Sequence, residues 1–219
     1  MKKPLNPEGR KHRFGKAWMH EHVTDHWVHE AKRRGYRSRA AFKLLELGER
    51  DKLFRPGGRA VDLGAAPGSW SQVLAQRLAP NGTVVAIDLL EMEPIRGVVS
   101  LKGDFSTDEG LGQVEWALND QPVGLVVSDM SPNLSGIESV DQARGIHLNE
   151  LALEFARQWL QPGGDFAVKA FQGAGFDAFQ REVARHFGKT YVRKPAASRD
   201  RSREVFIVGK GFASKGGRN

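Results

Sequence analysis

Lys169 lies inside the apolar run Phe166-Ala167-Val168-Lys169-Ala170-Phe171. A strand interior hides its side chains, so this ammonium must reach the strand end or meet a compensating acid. A lysine that snorkels out to water is the alternative. Asp129 closes a second apolar run, Leu125-Val126-Val127-Ser128-Asp129, and Met130-Ser131-Pro132-Asn133 follow it. Glu204 opens the last apolar run beside Arg203 and, taken alone, reads as an ordinary edge-strand charge. An amine held against acids can hold or move a proton.

A different chemistry is written in Val61-Asp62-Leu63-Gly64-Ala65-Ala66-Pro67-Gly68-Ser69-Trp70. Small residues between a strand and a helix let the backbone turn tightly and approach a ligand. The spacing is not the G-x-G-x-x-G of dinucleotide sites, and no Lys-Ser/Thr follows Gly68 as a phosphate-cradling P-loop requires. A loop of this kind suits a cofactor made of an amino acid and a nucleoside. Asp88, after Val84-Val85-Ala86-Ile87, is placed to accept the ribose hydroxyls of such a molecule, and Asp104, in Gly103-Asp104-Phe105, to accept from an adenine amino group. Each acid alone also reads as a helix cap or a solvated charge. The ordered series at three successive strand ends is what points to a ligand, because open α/β sheets bind at the carboxyl ends of their strands.

The elements that must position these residues follow from the same periodicities. Apolar runs at 59–63, 83–87, 98–101, 125–128 and 165–170 alternate with helical stretches at 69–78, 139–160 and 176–187. Such alternation predicts a parallel sheet covered on both faces. Two late runs, 189–193 and 205–208, predict an antiparallel, hairpin-like pair closing one edge. Ahead of the sheet, helices are expected at about 18–34, ended by Gly35, and from Ser38 onward. Residues 1–17 read as a flexible basic tail, 18–209 as a single domain with 18–55 as a basic helical extension, and 210–219 as a second tail.

Charge is segregated along the chain. Residues 1–55 carry +8, residues 56–184 carry −9 and residues 185–219 carry +8. Two basic ends around an acidic middle suit a polyanion-binding surface, although charged ends also occur as solvated tails. Cysteine is absent, which excludes disulfides, thiolate metal sites and a Cys nucleophile. No apolar run approaches the roughly 18 residues of a membrane helix, and the basic start with Pro4 and Pro7 does not read as a signal peptide. His22, His26 and His29 share a helical face with His20 nearby, but no further metal ligand is apparent, so no metal is assigned. Trp18 and Trp27 suit core packing or base stacking.

With these residues in view, the chain resembles the FtsJ-type ribose methyltransferases, and among them those acting on large-subunit ribosomal RNA. The resemblance rests on Arg37-Ser38-Arg39-Ala40-Ala41-Phe42-Lys43-Leu44, Val61 to Trp70, Asp88-Leu89-Leu90, Gly103-Asp104-Phe105, Ser128 to Gly136, Val168-Lys169 to Gly173, Arg193-Lys194-Pro195, and Ser198-Arg199 with Arg201-Ser202-Arg203-Glu204. It implies a Rossmann-like class I fold: a mostly parallel seven-stranded sheet, helices on both faces, and one antiparallel strand near an edge. It also implies S-adenosylmethionine as cofactor, lined by Gly68, Trp70, Asp88, Asp104 and Asp129, and a catalytic tetrad of Lys43, Asp129, Lys169 and Glu204. The family usually has a second glycine where this chain has Ser69. A positive φ there would cost about 1 kcal/mol.

The implied reaction methylates a uridine 2′-hydroxyl of 23S ribosomal RNA, in the assembled or assembling 50S subunit, by a cytoplasmic monomer with no membrane partner. The cofactor carries its methyl on a cationic sulfonium, so the protein must aim a ribose oxygen and deal with its proton. Lys169 is the expected base or orienting group. An ordinary lysine titrates near about 10.4, so neutral Lys169 at pH 7 calls for a depression of roughly 3, worth about 4 kcal/mol. Arg34, Arg37, Arg39, Arg193, Lys194, Arg199 and Arg201 are the expected RNA-binding cations, flanking Lys43 and Glu204. Three other readings stand beside this one: a base methyltransferase, methylation of transfer RNA, and a non-catalytic ribosome-assembly factor.

Overall fold

The structure, a computed structural model, describes residues 25–199 and 201–213. Two helices, α1 (His26–Arg33) and α2 (Ala40–Arg50), precede a sheet whose strands alternate with helices: β1 (Arg59–Leu63), α3 (Ser69–Leu78), β2 (Thr83–Asp88), β3 (Val98–Lys102), α4 (Asp108–Leu118), β4 (Val123–Ser128), α5 (Glu138–Trp159), β5 (Leu160–Phe171), α6 (Phe176–His186), β6 (Phe187–Arg193) and β7 (Glu204–Phe212). Residues 1–24, 200 and 214–219 lie outside the described part, and with them Trp18, His20, His22, the expected N-terminal tail and the end of the expected C-terminal one.

Seven strands form one sheet in the order β3-β2-β1-β4-β5-β7-β6. Strands β1 to β5 pair in parallel, and β7 runs antiparallel to both its neighbours. The expected fold class is therefore present, and the two late strands form the expected antiparallel pair at one edge. Within that pair β7 lies inside, against β5, and β6 is the edge strand. Burial explains the order. Val205, Phe206, Ile207 and Val208 are apolar on both faces and at most 4% exposed, whereas in β6 only Phe187 is buried and the adjacent Gly188 and Lys189 are exposed. Strand β7 also continues to Phe212, paired with Phe187, so residues 210–212 belong to the sheet rather than to the tail expected from 210.

Helix α4 was not expected. Its two glycines, Gly110 and Gly112, weaken the helical signal, but the Thr107 hydroxyl accepts from the Gly110 N–H (3.2 Å), and Asn119, in the left-handed region at φ 49°, ends it. At the other end of the chain, α1 is capped by Asp25, which accepts from the Trp27 N–H (2.9 Å). Trp27 then packs on Phe42 of α2 at 5.1 Å, the covering role rather than the base-stacking one.

Strand parity sorts the core into two layers. Val61, Leu63, Ile87, Val126, Phe166 and Ile207 face α4, α5 and α6. Ala60, Val84, Val127, Ala167, Phe206 and Val208 face α1, α2 and α3. The second layer makes α2 part of the domain body: Ala41, Leu44 and Leu47 are at most 1% exposed. Arg193 of β6 ties α2 to the sheet. Its Nε and Nη2 donate to Asp51 at the end of the helix (3.0 and 2.7 Å), and its guanidinium lies 4.3 Å from the Tyr191 ring centre.

Removing one partner from so enclosed a pair leaves an uncompensated charge. Arg193→Ala is expected to lower stability by about 3 kcal/mol, measured by urea unfolding; an unchanged midpoint would mean the strut carries no load.

Candidate active site

Lys169 and Glu204 share the α2-facing side of the sheet because of register. Lys169 pairs with Phe206 across β5 and β7, and Glu204 is two residues from Phe206, on the same face. Lys169 is 8% exposed. Its Nζ donates to the Asp129 carbonyl (2.6 Å) and lies 3.1 Å from Asp129 Oδ1. Asp129 reaches it because β4 lies beside β5, with Ser128 paired to Val168. Lys43 of α2 crosses from the helix layer to place its Nζ 2.7 Å from Glu204 Oε1. The four residues thus meet as two ion pairs, near enough for Lys169 to act electrostatically on Glu204. Burial pushes the Glu204 carboxyl up, but Lys43, the Ser198 hydroxyl and Lys169 outweigh it and hold the group below the usual carboxylate range.

Beside these pairs, the carboxyl ends of the strands open on a cleft of about 500 Å³, lined among others by Ile87, Asp88, Asp104, Asp129, Met130 and Leu148. Gly64 stands at its base with φ 76°. A Cβ there would fall 2.6 Å from Met130 Cγ and 2.9 Å from the Met130 nitrogen, so glycine lets the loops leaving β1 and β4 touch. Asp88 accepts from the Ala66 N–H (3.0 Å) and the Leu90 N–H (2.8 Å), which fixes the glycine loop against the rim. Asp104 Oδ1 accepts from the main chain and the hydroxyl of Ser106 (2.9 and 2.6 Å), and those bonds keep its carboxyl below the ordinary range.

Two expected cofactor residues lie elsewhere. Gly68 caps α3 with φ 104°, and Arg37 covers it: a Cβ would meet Arg37 Nη1 at 2.7 Å. The Trp70 indole is 2% exposed, donates to the Ala40 carbonyl (2.8 Å) and packs on Phe206. Its bulk and its N–H are satisfied in the core, so any part Trp70 plays toward a ligand falls to its main chain in the first turn of α3. Ser69 needs no positive φ. It is an ordinary first helical residue, buried, with its hydroxyl 2.8 Å from that of Ser38, so the expected strain does not arise.

Several expected RNA-binding cations are committed to the protein. Arg37 donates to the Pro67 and Glu93 carbonyls (both 2.8 Å), clamping the glycine loop. Arg39 bridges Asp25 and the Ala197 carbonyl. Arg193 is spent on Asp51. The reason is common to all three: a guanidinium that becomes partly enclosed has to find acceptors. Arg34 pairs with Glu30 (2.6 Å) yet stays exposed, as does Lys194, whose Nζ donates to the Ser202 carbonyl (2.7 Å). Arg199 is half-buried and Arg201 exposed.

A family model described as FtsJ-like methyltransferase matches residues 36–212. The chain belongs to the FtsJ-like methyltransferase family. A protein of Methylobacillus flagellatus named Ribosomal RNA large subunit methyltransferase E is 57% identical over 194 residues, 89% of this chain and 94% of the relative. One of the same name from Nitrosospira multiformis is 54% identical over 202 residues, 92% and 98% of the two chains. Among solved structures, a ribosomal RNA methyltransferase of Plasmodium falciparum is similar with a TM-score of 0.74 and 26% identity, covering 82% of this chain and all of that one. As an FtsJ-like methyltransferase, this chain takes a methyl group from a donor. Among the described residues no helix is long and apolar enough to cross a membrane.

Two residues of this FtsJ-like site escaped the sequence reading. Ser198, 5% exposed in the loop between β6 and β7, donates to Glu204 Oε1 (2.9 Å), the oxygen that Lys43 also holds. It stood in a stretch that carries the resemblance, but nothing in its neighbours assigned it a role. Asp62 was visible as an acid in an apolar strand. It is fully buried beneath the glycine loop, where the Ser71 hydroxyl donates to Oδ2 (2.6 Å) and Oδ1 has no hydrogen-bond partner. Burial, with help from Asp129 and Asp88, pushes its carboxyl up to about 7.

Asp62 gives a signed pH dependence. The folded chain holds this proton more tightly than the unfolded one, so its contribution is full below the unfolded value near 4 and is lost as pH rises through about 7. Relative to Asp62→Asn, the wild type is expected to lose up to about 4 kcal/mol of stability between those limits; parallel urea-derived curves for the two chains would refute this. For Ser198, the alanine variant should raise the Glu204 titration midpoint and Ser198→Thr should restore it, read by carboxyl carbon NMR; an unmoved midpoint would remove Ser198 from the pair.

Proposed function

We propose that this chain transfers a methyl group from S-adenosylmethionine to the 2′-hydroxyl of a uridine in 23S ribosomal RNA of the large subunit, in the cytoplasm. The observation that carries the reading is the seat of Lys169: a nearly enclosed amine, held by Asp129, at the edge of a cleft suited to a nucleoside. The names of the relatives support the RNA substrate.

The cleft fits the cofactor in kind. Ile87, Phe105 and Leu148 offer apolar surface to a base, while Asp88 and Asp104 retain lone pairs at the rim for hydroxyl and amino donors. When bound, S-adenosylmethionine supplies a methyl on a cationic sulfur, which needs no further activation. Asp129 contributes a negative charge to both the cleft and Lys169.

What remains for the chain is to aim an oxygen and receive its proton. The Lys169 nitrogen donates to the Asp129 carbonyl and lies against its carboxylate as an ion pair. A tetrahedral nitrogen has a further position for the ribose hydroxyl, which it orients as an N–H donor or deprotonates as a free amine. Lys43 and Glu204 compensate each other and wall the far side, so the acceptor enters a locus of fixed charge. Phe206 lies beneath: Lys43 Nζ is 5.7 Å from its ring centre, and Trp70 backs it.

Lys169→Ala is expected to lower methyl transfer by at least about a hundredfold while cofactor affinity by calorimetry holds, and Glu204→Ala to cost less. The assay is labelled cofactor with large subunits from cells lacking the chain, followed by alkaline digestion. A ribose-methylated nucleotide resists cleavage at its 3′ side. Label confined to alkali-labile nucleotides would place the methyl on a base and end the reading.

A further inference from the structure

The loop leaving β4 carries an apolar surface that neither the core nor the cleft uses. Leu134 is 80% exposed and Ile137 60%, with Val140 beside them at the start of α5. They are held outward by design of the loop rather than by fraying. Asp141 accepts from the Ser135 N–H and hydroxyl (both 2.7 Å) and from the Gly136 N–H (3.1 Å). The Ser135 hydroxyl in turn accepts from the Ile137 N–H (3.2 Å).

The place of this surface narrows its partner. Glu138 pairs with Arg203 (2.7 Å), the residue before Glu204, and Gln142 donates to the Phe171 carbonyl (3.0 Å), two residues beyond Lys169. The start of α5 is therefore continuous with the locus of the two ion pairs. Its acids carry their own counter-charge: Glu138 pairs with Arg203, and Arg144 acts on Asp141. A surface with apolar side chains and balanced charge, adjoining a ribose site, matches the flat face of a nucleobase carried by the same strand.

Resting on the function given above, we propose that Leu134 and Ile137 form a docking shelf for an RNA base next to the acceptor ribose. Binding there spends apolar burial on register: the base on the shelf sets which ribose faces Lys169.

The test replaces Leu134 in the full chain with a photoreactive benzophenone amino acid and irradiates it with large subunits from cells lacking the chain. The adduct is expected to be nuclease-sensitive and to map within a few nucleotides of the methylated position. In the doubly substituted chain, Leu134→Ser with Ile137→Ser, the KM for subunits should rise about tenfold, with kcat and cofactor affinity within about twofold. An adduct to a ribosomal protein, no adduct on subunits that the wild type methylates, or an unchanged KM overturns the shelf alone. A wild-type chain that methylates no subunit overturns the shelf together with the function it rests on.

Discussion

A lysine ammonium in the middle of an apolar strand can persist only where a partner meets it, and here that partner is Asp129, whose carbonyl accepts its hydrogen bond and whose carboxylate lies beside it as a counter-charge. Much of the architecture serves this meeting. Strand β5 must lie beside β4 in the register that sets Val168 against Ser128, so that the next residue of each chain is Lys169 and Asp129. Strand β7 must run the opposite way, so that Glu204 arrives at the same end and on the same face as the lysine. A parallel β7 would begin at the other end of the sheet and leave Glu204 far from both. The single antiparallel strand is thus a condition of the site as well as a feature of the fold.

Carboxylates at this rim are sorted by what surrounds them. Asp62 lies under the glycine loop with one oxygen unpartnered, and burial favours its neutral form. Asp104 stands in water with two Ser106 donors and stays ionised. Glu204 lies between: buried enough to be raised, but lowered overall by Lys43 and Ser198. Within one small region, residues of the same chemistry are set apart as a proton-holding strut beneath the loop, an exposed ionised acid at the rim and a fixed counter-charge. The two lysines lie against acids near the surface, while burial raises the acid nearest the core.

The sheet and most of its helices were legible in the sequence because each strand is a short apolar run and each helix has its own period. The five acids and lysines at strand ends were legible for the same reason, since an ionisable residue in or beside an apolar run stands out. What was hidden was hidden by distance or by weak contrast. Helix α4 has two glycines and a modest apolar stripe. Arg193 finds Asp51 across 142 positions, and Arg39 finds the Ala197 carbonyl across 158, so neither commitment could be read locally. Ser198 is one serine among many until the loop between β6 and β7 folds over Glu204. The insertion of β7 beside β5 required comparing the burial of two whole strands.

The fate of the arginines changes what the basic ends of the chain mean. Charge segregation alone makes residues 1–55 and 185–219 look like a polyanion surface, yet Arg37 clamps the glycine loop, Arg39 holds the loop before Ser198, and Arg193 anchors α2. These cations build the site more than they decorate it. Each enclosed guanidinium satisfies backbone carbonyls or a carboxylate that would otherwise lie unpaired between the N-terminal helices and the sheet. In the proposed function, phosphate attraction falls to exposed cations such as Arg34, Lys194 and Arg201, whose long-range pull is indifferent to sequence. Under the proposed function, discrimination among nucleotides must come from contacts that phosphates cannot make, and the loop after β4 offers exposed Leu134 and Ile137 for them beside the polar Asn133. On the proposed reading, an ordered apolar loop beside the ion pairs separates the two tasks: charge gathers the RNA, and shape chooses the ribose.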